Sequence, residues 1–263
     1  MQETDVALLT DAAREAGEIA TRYFKNAPDV THKPDGAGPV TEADLAVNAM
    51  LEHELRSARP DYGWLSEETE DSTARLHTKR QFVIDPIDGT RAFIDGAKDW
   101  AHSLAIVEEG VVVAAAVYLP VRDQMFVASL GEGATCNNET IRSTDARLGE
   151  STILTAKVNL QPQFWKNQDV PAIKRTFRSS LAYRLCLVAA GRFDGMMTFR
   201  PSWEWDIAAG ALIASEAGAT ITDQYDRDLR FNNRHPQVPG VLVAGPELHA
   251  DFAARLEPPS PTA

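Results

Sequence analysis

The sequence predicts an α/β protein in two parts, an α+β N-terminal half followed by an α/β C-terminal half. Three observations carry this. Two stretches near the start repeat apolar residues at helical spacing. Between Ser103 and Ala128, three apolar runs are joined by Glu108-Glu109-Gly110 and Pro120-Val121-Arg122-Asp123, turns short enough for an antiparallel meander. Beyond Glu150, strand-like and helix-like segments alternate. The polar stretch from Ser143 to Glu150 divides the two patterns. This gives an N-terminal part over 1–148, a C-terminal part over 149–257, and a proline-rich tail over 258–263 expected to be disordered.

Each element follows from local chemistry. Over 3–25, Val6, Leu9, Ala13, Ala16, Ala20 and Phe24 mark an amphipathic helix. Residues 31–40 hold Pro34, Gly36, Gly38 and Pro39 and read as a loop carrying Lys33. A second helix runs from Thr41 to Arg59 and stops before Pro60. Thr41 with Asp44 three residues on resembles a capping box, which accounts for Asp44 without invoking function. Tyr62 to Leu65 is a short strand leading into the acidic run from Glu67 to Asp71. Phe82 to Ile84 is a second short strand, which Pro86 is expected to stop because it cannot donate to a ladder. Ser103–Val107, Val111–Leu119 and Gln124–Ala128 form the meander, and Gly131-Glu132-Gly133 is another turn. In the second half, Thr152–Ala156, Phe193–Phe199, Ala219–Thr222 and Val241–Ala244 read as strands. Ser180–Ala190, Trp205–Ala217 and Pro246–Leu256 read as helices, the first two stopped by Gly191 and Gly218.

Composition narrows the function classes. With 44% apolar residues the chain can build a sizeable core. A net charge of −12 disfavours non-specific binding to nucleic acid or an anionic membrane, but leaves an anionic substrate open if a cation inverts the local field. Cys136 and Cys186 are far apart and form no metal-ligand pattern. Asp5 and Asp11 stand where a signal peptide would be basic and then apolar, and the run Val111–Pro120 is too short to span a bilayer. A cytoplasmic protein is expected.

The chemistry concentrates in three places. Asp85 and Asp88 flank a turn after an apolar strand, and Gly89 lets the backbone approach a ligand closely. Oxygen groups on a rigid turn suit a hard cation such as magnesium, although an Asx-type turn explains the same residues. If the strands at 62–65 and 82–84 pair, Glu67 or Glu68 lies beside Asp85. Further on, Ser202 is a candidate N-cap for a helix whose first turn holds Glu204 and Asp206. Helix-dipole placement explains those acids, but Trp203 and Trp205 beside them must pack against something. Ala208-Ala209-Gly210-Ala211 gives that helix a thin face.

Taken together, Glu67-Glu68, Asp85-Pro86-Ile87-Asp88-Gly89-Thr90 and Trp205-Asp206-Ile207-Ala208-Ala209-Gly210 resemble the inositol monophosphatase superfamily of lithium-sensitive, magnesium-dependent phosphomonoesterases. The resemblance implies a layered αβαβα sandwich of the inositol monophosphatase and fructose-1,6-bisphosphatase type, with the site between its halves. It implies two or three magnesium ions. Glu67, Asp85 and the carbonyl of Ile87 would hold one ion, and Asp85, Asp88 and Asp206 a second. Thr90 with Asp44, beside Glu67, would orient the attacking water. Lys33 matches the family's mobile-loop lysine, and Gly89 and Thr90 would offer backbone donors to a phosphate.

The sugar-binding glutamate of inositol monophosphatases is replaced here by Thr198 or Phe199. Glu204-Trp205-Asp206, Ser179-Ser180-Leu181 and Leu187-Val188-Ala189-Ala190-Gly191 instead resemble bacterial 3'(2'),5'-bisphosphate nucleotidases. Ser180, Glu204 and Arg200 are therefore the candidate substrate contacts, with Trp203 a surface on which a base would stack. The expected partner is a small phosphorylated substrate, not a nucleic acid polymer or a membrane; a homodimer is left open. The alternatives are an inositol-1-phosphatase, a histidinol-phosphate phosphatase, or a catalytically silent relative acting as a binding or regulatory module.

Overall fold

The computed structural model describes residues 4–26, 29–32 and 38–258. Lys33 and the tail beyond Pro258 lie outside them. The first half holds α1 (Asp5–Tyr23), β1 (Val30–His32), β2 (Pro39–Thr41), α2 (Glu42–Ala58), β3 (Gly63–Ser66), β4 (Arg80–Asp88), α3 (Thr90–Ile94), β5 (Ala101–Glu108), β6 (Val111–Leu119), β7 (Gln124–Ser129), β8 (Ala134–Cys136) and β9 (Glu139–Thr140). The second half holds β10 (Thr152–Thr155), β11 (Lys174–Thr176), α4 (Leu181–Ala189), β12 (Gly195–Thr198), β13 (Ser202–Trp203), α5 (Glu204–Glu216), β14 (Thr220–Thr222), β15 (Gln237–Val238), β16 (Val241–Ala244) and α6 (Pro246–Arg255).

Strands β3 to β9 form one sheet in sequence order. β3 and β4 run parallel, and the rest is the expected antiparallel meander. Side chains alternate across it, as a period of two requires. Phe82, Ile84, Leu104 and Ile106 join the core under α1 and α2, while Val83, Ala105 and Val107 face the other way, into the core shared with α4 and α5. A second sheet, ordered β11-β10-β12-β16-β14, covers the far side of α4 and α5. Trp165 and Phe252 pack on its outer face with α6. The layers are helices, sheet, helices, sheet, helix: an αβαβα sandwich.

Helix α5 is apolar on all sides because it lies between two sheets. It also lies close to α4, since a Cβ on Gly210 would come within 2.7 Å of Leu185. The thin face of that helix is thus a packing device.

Three local expectations are corrected. Pro86 does not end its strand, because β4 continues to Asp88. Asp85 pairs with Ser103 and Asp88 with Ala101, so three steps on β4 match two on β5. Pro86 sits in the resulting bulge, where no ladder N–H is required. The 31–40 segment is not wholly loop, since β1 and β2 pair from Val30↔Thr41 to His32↔Pro39. Finally, Ser202 does not cap α5. It pairs with Val238 in a two-stranded ribbon, and Trp203 occupies the cap position without a capping side chain.

Candidate active site

The site lies where the C-terminal ends of β3 and β4 meet the first turns of α4 and α5. Parallel pairing of β3 with β4, continued by a bond from Glu67 N to Ile84 O (3.1 Å), puts Glu67 next to Asp85. Asp206, in the first turn of α5, completes a triad with Glu67 and Asp85 in which one carboxylate oxygen from each lies within 4.8 Å of the other two. Asp85 is buried, and among the described residues its Oδ1 has no hydrogen-bond donor. Burial first, then Glu67, Asp88, Asp206 and Asp44, push its pKa well above the usual carboxylate range. Asp206 is pushed up for the same reasons, burial first and then Asp88 and Glu67.

Asp88 emerges from the β4 bulge toward α4. One carboxylate oxygen accepts from Ser180 Oγ and from Ala182 N, both at 2.6 Å. Burial pushes its pKa up to about 6, against the lowering effect of those two donors and of Arg184. Ser180 also caps α4, accepting from Tyr183 N at 2.9 Å. It is fully buried between Asp88 and the helix, so the expected substrate contact at Ser180 is corrected to a support for Asp88.

Thr90 follows Gly89, whose φ of +99° favours glycine and whose Cβ would stand 3.1 Å from Asp99 O. Thr90 Oγ donates to Asp44 Oδ1 (3.3 Å) and Ile87 O (3.1 Å). The capping box at Thr41 and Asp44 is present, and the same carboxylate serves both it and Thr90. The side chain of Ile87 packs into the α1–α2 core, and its carbonyl accepts from Thr90.

A cavity of about 530 Å³ opens above these groups, lined by Glu67, Asp85, Asp88, Gly89, Thr90 and Asp206 and by Arg184, Thr198, Arg200 and Trp203. Glu204 does not line it. Its carboxylate is fully buried and accepts from Asn232 N (2.7 Å), Asn233 N (2.8 Å) and Asn233 Nδ2 (2.7 Å), which corrects the expected substrate contact. Trp203 stacks on Trp205, with ring centroids 4.7 Å apart and planes 8° apart.

Two residues of the site were missed in the sequence reading. Arg184 lines the cavity from α4 with only 5% exposure, and burial lowers its pKa to about 10 against the pull of Asp88. Its guanidinium lies 4.9 Å from the Phe177 ring centroid. The signal was there: it is the one charged residue in the apolar helix Leu181–Ala189, and a buried charge needs partners. His102 is wholly buried, with its Nδ1 2.5 Å from Pro86 O, so it braces the bulge that carries Asp85, Ile87 and Asp88. Burial lowers its pKa to about 4.

The seam of the layered αβαβα sandwich thus carries an acidic triad that faces a cavity also lined by arginines. The sequence model of the inositol monophosphatase family matches residues 1–258, and the chain belongs to that family. It is 31% identical over 258 residues to the Nus factor SuhB of Pasteurella multocida, covering 94% of this chain and 93% of that one. It is 33% identical over 227 residues to the inositol-1-monophosphatase of Rhizobium meliloti, covering 82% and 84%. Among solved structures, the extragenic suppressor protein suhB of Bartonella henselae superposes with a TM-score of 0.80 at 28% identity, over 94% of this chain and 96% of that one. An IMPase of Thermotoga maritima gives 0.80 at 29%, over 93% of each. Among the described residues, no helix is long and apolar enough to cross a membrane.

Proposed function

We propose that this chain is a magnesium-dependent, lithium-sensitive phosphomonoesterase that removes the 3'-phosphate of adenosine 3',5'-bisphosphate. The donor set fits a hard cation: it is all oxygen, clustered, and includes one buried carboxylate oxygen with no proton donor among the described residues. Glu67, Asp85, Asp88, Asp206 and the Ile87 carbonyl would hold two or three magnesium ions. Bound magnesium neutralises a phosphate ester and lowers the pKa of water. The chain supplies the positioning. Thr90 Oγ gives its proton to Asp44 and Ile87 O, which leaves it able to accept a hydrogen bond from a water and so fix that water's direction. Gly89 and Thr90 offer backbone N–H groups to the phosphate. Lys33 would add a cation from the adjoining segment.

One observation carries the choice of substrate: Arg184 and Arg200 share the cavity with the acids. An inositol ring needs hydrogen-bond acceptors for its hydroxyls, whereas a second phosphate needs guanidinium. At the position of the family's sugar-binding glutamate, Thr198 reaches the cavity and Phe199 packs with Trp165 away from it. Neither supplies a carboxylate. Trp203 at the wall would face a base. A cytoplasmic location goes with this reading. The relative named inositol-1-monophosphatase favours a second reading, hydrolysis of inositol-1-phosphate.

Phosphate release in magnesium from adenosine 3',5'-bisphosphate, inositol-1-phosphate and histidinol phosphate, side by side, separates these readings. The bisphosphate should win by at least tenfold in kcat/KM. A preference for inositol-1-phosphate would overturn the nucleotidase reading and keep the phosphatase. Inertness toward all three and a wider phosphoester panel would favour a silent, regulatory relative.

A further inference from the structure

The two halves of the triad come from distant parts of the chain, and a buried chain of polar contacts joins them behind the cavity. Arg75 is 2% exposed. It grips Asp71, in the acidic run just after Glu67, through two parallel bonds of 2.7 and 2.8 Å. Two further donors reach across to the second half, to Asn232 Oδ1 (2.6 Å) and Asn233 O (3.0 Å). The same two asparagines are held from the other side by Glu204, whose two carboxylate oxygens take both backbone N–H groups and the Asn233 amide. Glu204 stands two residues before Asp206. A second tie runs from Ser103, the ladder partner of Asp85, whose Oγ donates to Trp205 O at 2.9 Å. The first turn of α5 is thus fixed at Glu204 and Trp205, the two residues that precede Asp206.

We infer that Arg75 and Glu204, joined through Asn232 and Asn233, are positioning residues for the metal centre: they set the separation between Asp206 and the pair Glu67–Asp85. The inference rests on the reading of that triad as metal ligands. Three mutually repelling carboxylates would move apart unless something rigid opposes them. Arg75 bonds to Asp71 in the first half and to Asn232 and Asn233 in the second, and Glu204 holds those two asparagines from within the second half, which makes the tie directional. Ligand-supporting groups of this sort commonly change metal affinity by about 10- to 100-fold when removed. Glu204 in this role acts through Asp206 and touches no substrate.

The test is manganese(II) titration by calorimetry on chelator-stripped, full-length protein, with melting temperature and steady-state kinetics on the same samples. Glu204→Gln replaces one acceptor oxygen with a donor facing Asn232 N–H, and Arg75→Met removes the grip from the other side. Each should weaken manganese binding at least tenfold, and at saturating metal the substrate KM should stay within twofold while kcat largely recovers. Arg75→Lys, which keeps the charge and one bond, should fall between Arg75→Met and wild type, and it tests the idea if Arg75→Met does not fold. Asp5→Asn lowers stability elsewhere and should leave manganese affinity unchanged. If Asp5→Asn weakens manganese equally, or if Glu204→Gln and Arg75→Lys both bind it like wild type, the positioning role is wrong. Asp85→Asn keeps that failure separate from the failure of its premise. Intact manganese binding in Asp85→Asn would overturn the metal-site reading itself.

Discussion

Asp5 and Asp85 each bring a carboxylate into poorly exposed surroundings, and the company they keep differs. Asp5 accepts from Arg59 Nε (2.9 Å), Arg80 Nη1 (2.9 Å) and the Tyr62 hydroxyl (3.0 Å). Arg80 is itself paired with Glu108 at 2.7 Å. Every charge in that cluster is answered by another on the chain, and the result ties α1 to β4 and to the segment between α2 and β3. Around Asp85 stand Glu67, Asp88, Asp206 and Asp44, and among the described residues one of its oxygens has no donor. The first cluster is complete, whereas the second asks for a cation from outside. Acid residues alone do not separate the two clusters: the Asp5 carboxylate meets two arginines and a tyrosine directly, whereas the groups that act most on Asp85, after burial, are other acids.

The strongest way to break this contrast is to neutralise one acid in each cluster. Asp85→Asn or Asp206→Asn should lower kcat by roughly 10²–10³-fold, the range for losing one preorganised electrostatic group. The same change should raise the melting temperature of the metal-free protein, because it relieves repulsion. Asp5→Asn should do the reverse, costing about 2 kcal/mol in denaturant unfolding by removing the shared partner of two arginines, with kcat unchanged. Matching signs for the two clusters would sink the contrast.

A pH series sharpens it. The folded-state pKa of Asp88 stands at about 6, above its ordinary 3.8. Its contribution to metal-free stability is therefore fully present below 3.8 and lost as pH rises through 6, worth about 3 kcal/mol for a shift of that size. His102 runs the other way. Its pKa is depressed to about 4 from 6.5, so its contribution is present above 6.5 and lost as pH falls toward 4. The two offset each other in the metal-free protein. Subtracting metal-free from magnesium-loaded melting temperatures cancels His102, and the difference should grow as pH rises through 6. A difference that is flat from pH 5 to 8 would contradict the assignment of Asp88 to the metal.

Smaller effects follow at the cavity wall and on the surface. Arg200→Ala should raise KM for a bisphosphate substrate by about tenfold, near the worth of one charge-assisted contact, and leave a monophosphate unaffected. Arg56→Ala breaks an exposed pair with Glu52 (2.8 Å) and should change stability by less than about 0.5 kcal/mol and activity not at all.

What the sequence disclosed, and what it withheld, follows from range. Elements set by local chemistry were legible: the helices over 5–23 and 42–58, the capping box at Thr41, and the meander with its short turns. The approach of Glu67 to Asp85 was legible too, because two short apolar strands ending in acids place those acids together when the strands pair. The Pro86 bulge was not, since a proline reads as a stop unless the register of the neighbouring strand is known. Ser180 and Glu204 were expected at the substrate because they sit in motifs beside it. Their true partners, Asp88 and the 232–233 backbone, lie 92 and 28–29 residues away, beyond any spacing argument. Arg184 was passed over inside an apolar helix, although its isolation there was the clue.

The core between the two sheets has a consequence for how activity arises. It takes Val83, Ala105, Val117 and Phe126 from the first half and Leu185, Ile207, Leu212 and Val243 from the second. Neither half can bury that surface by itself, and the acids of the triad are divided between them. The triad is therefore assembled only where the two halves close over that core. Recovery of phosphatase turnover during refolding should follow the slowest closing step, which would make the enzyme its own gauge of completed folding.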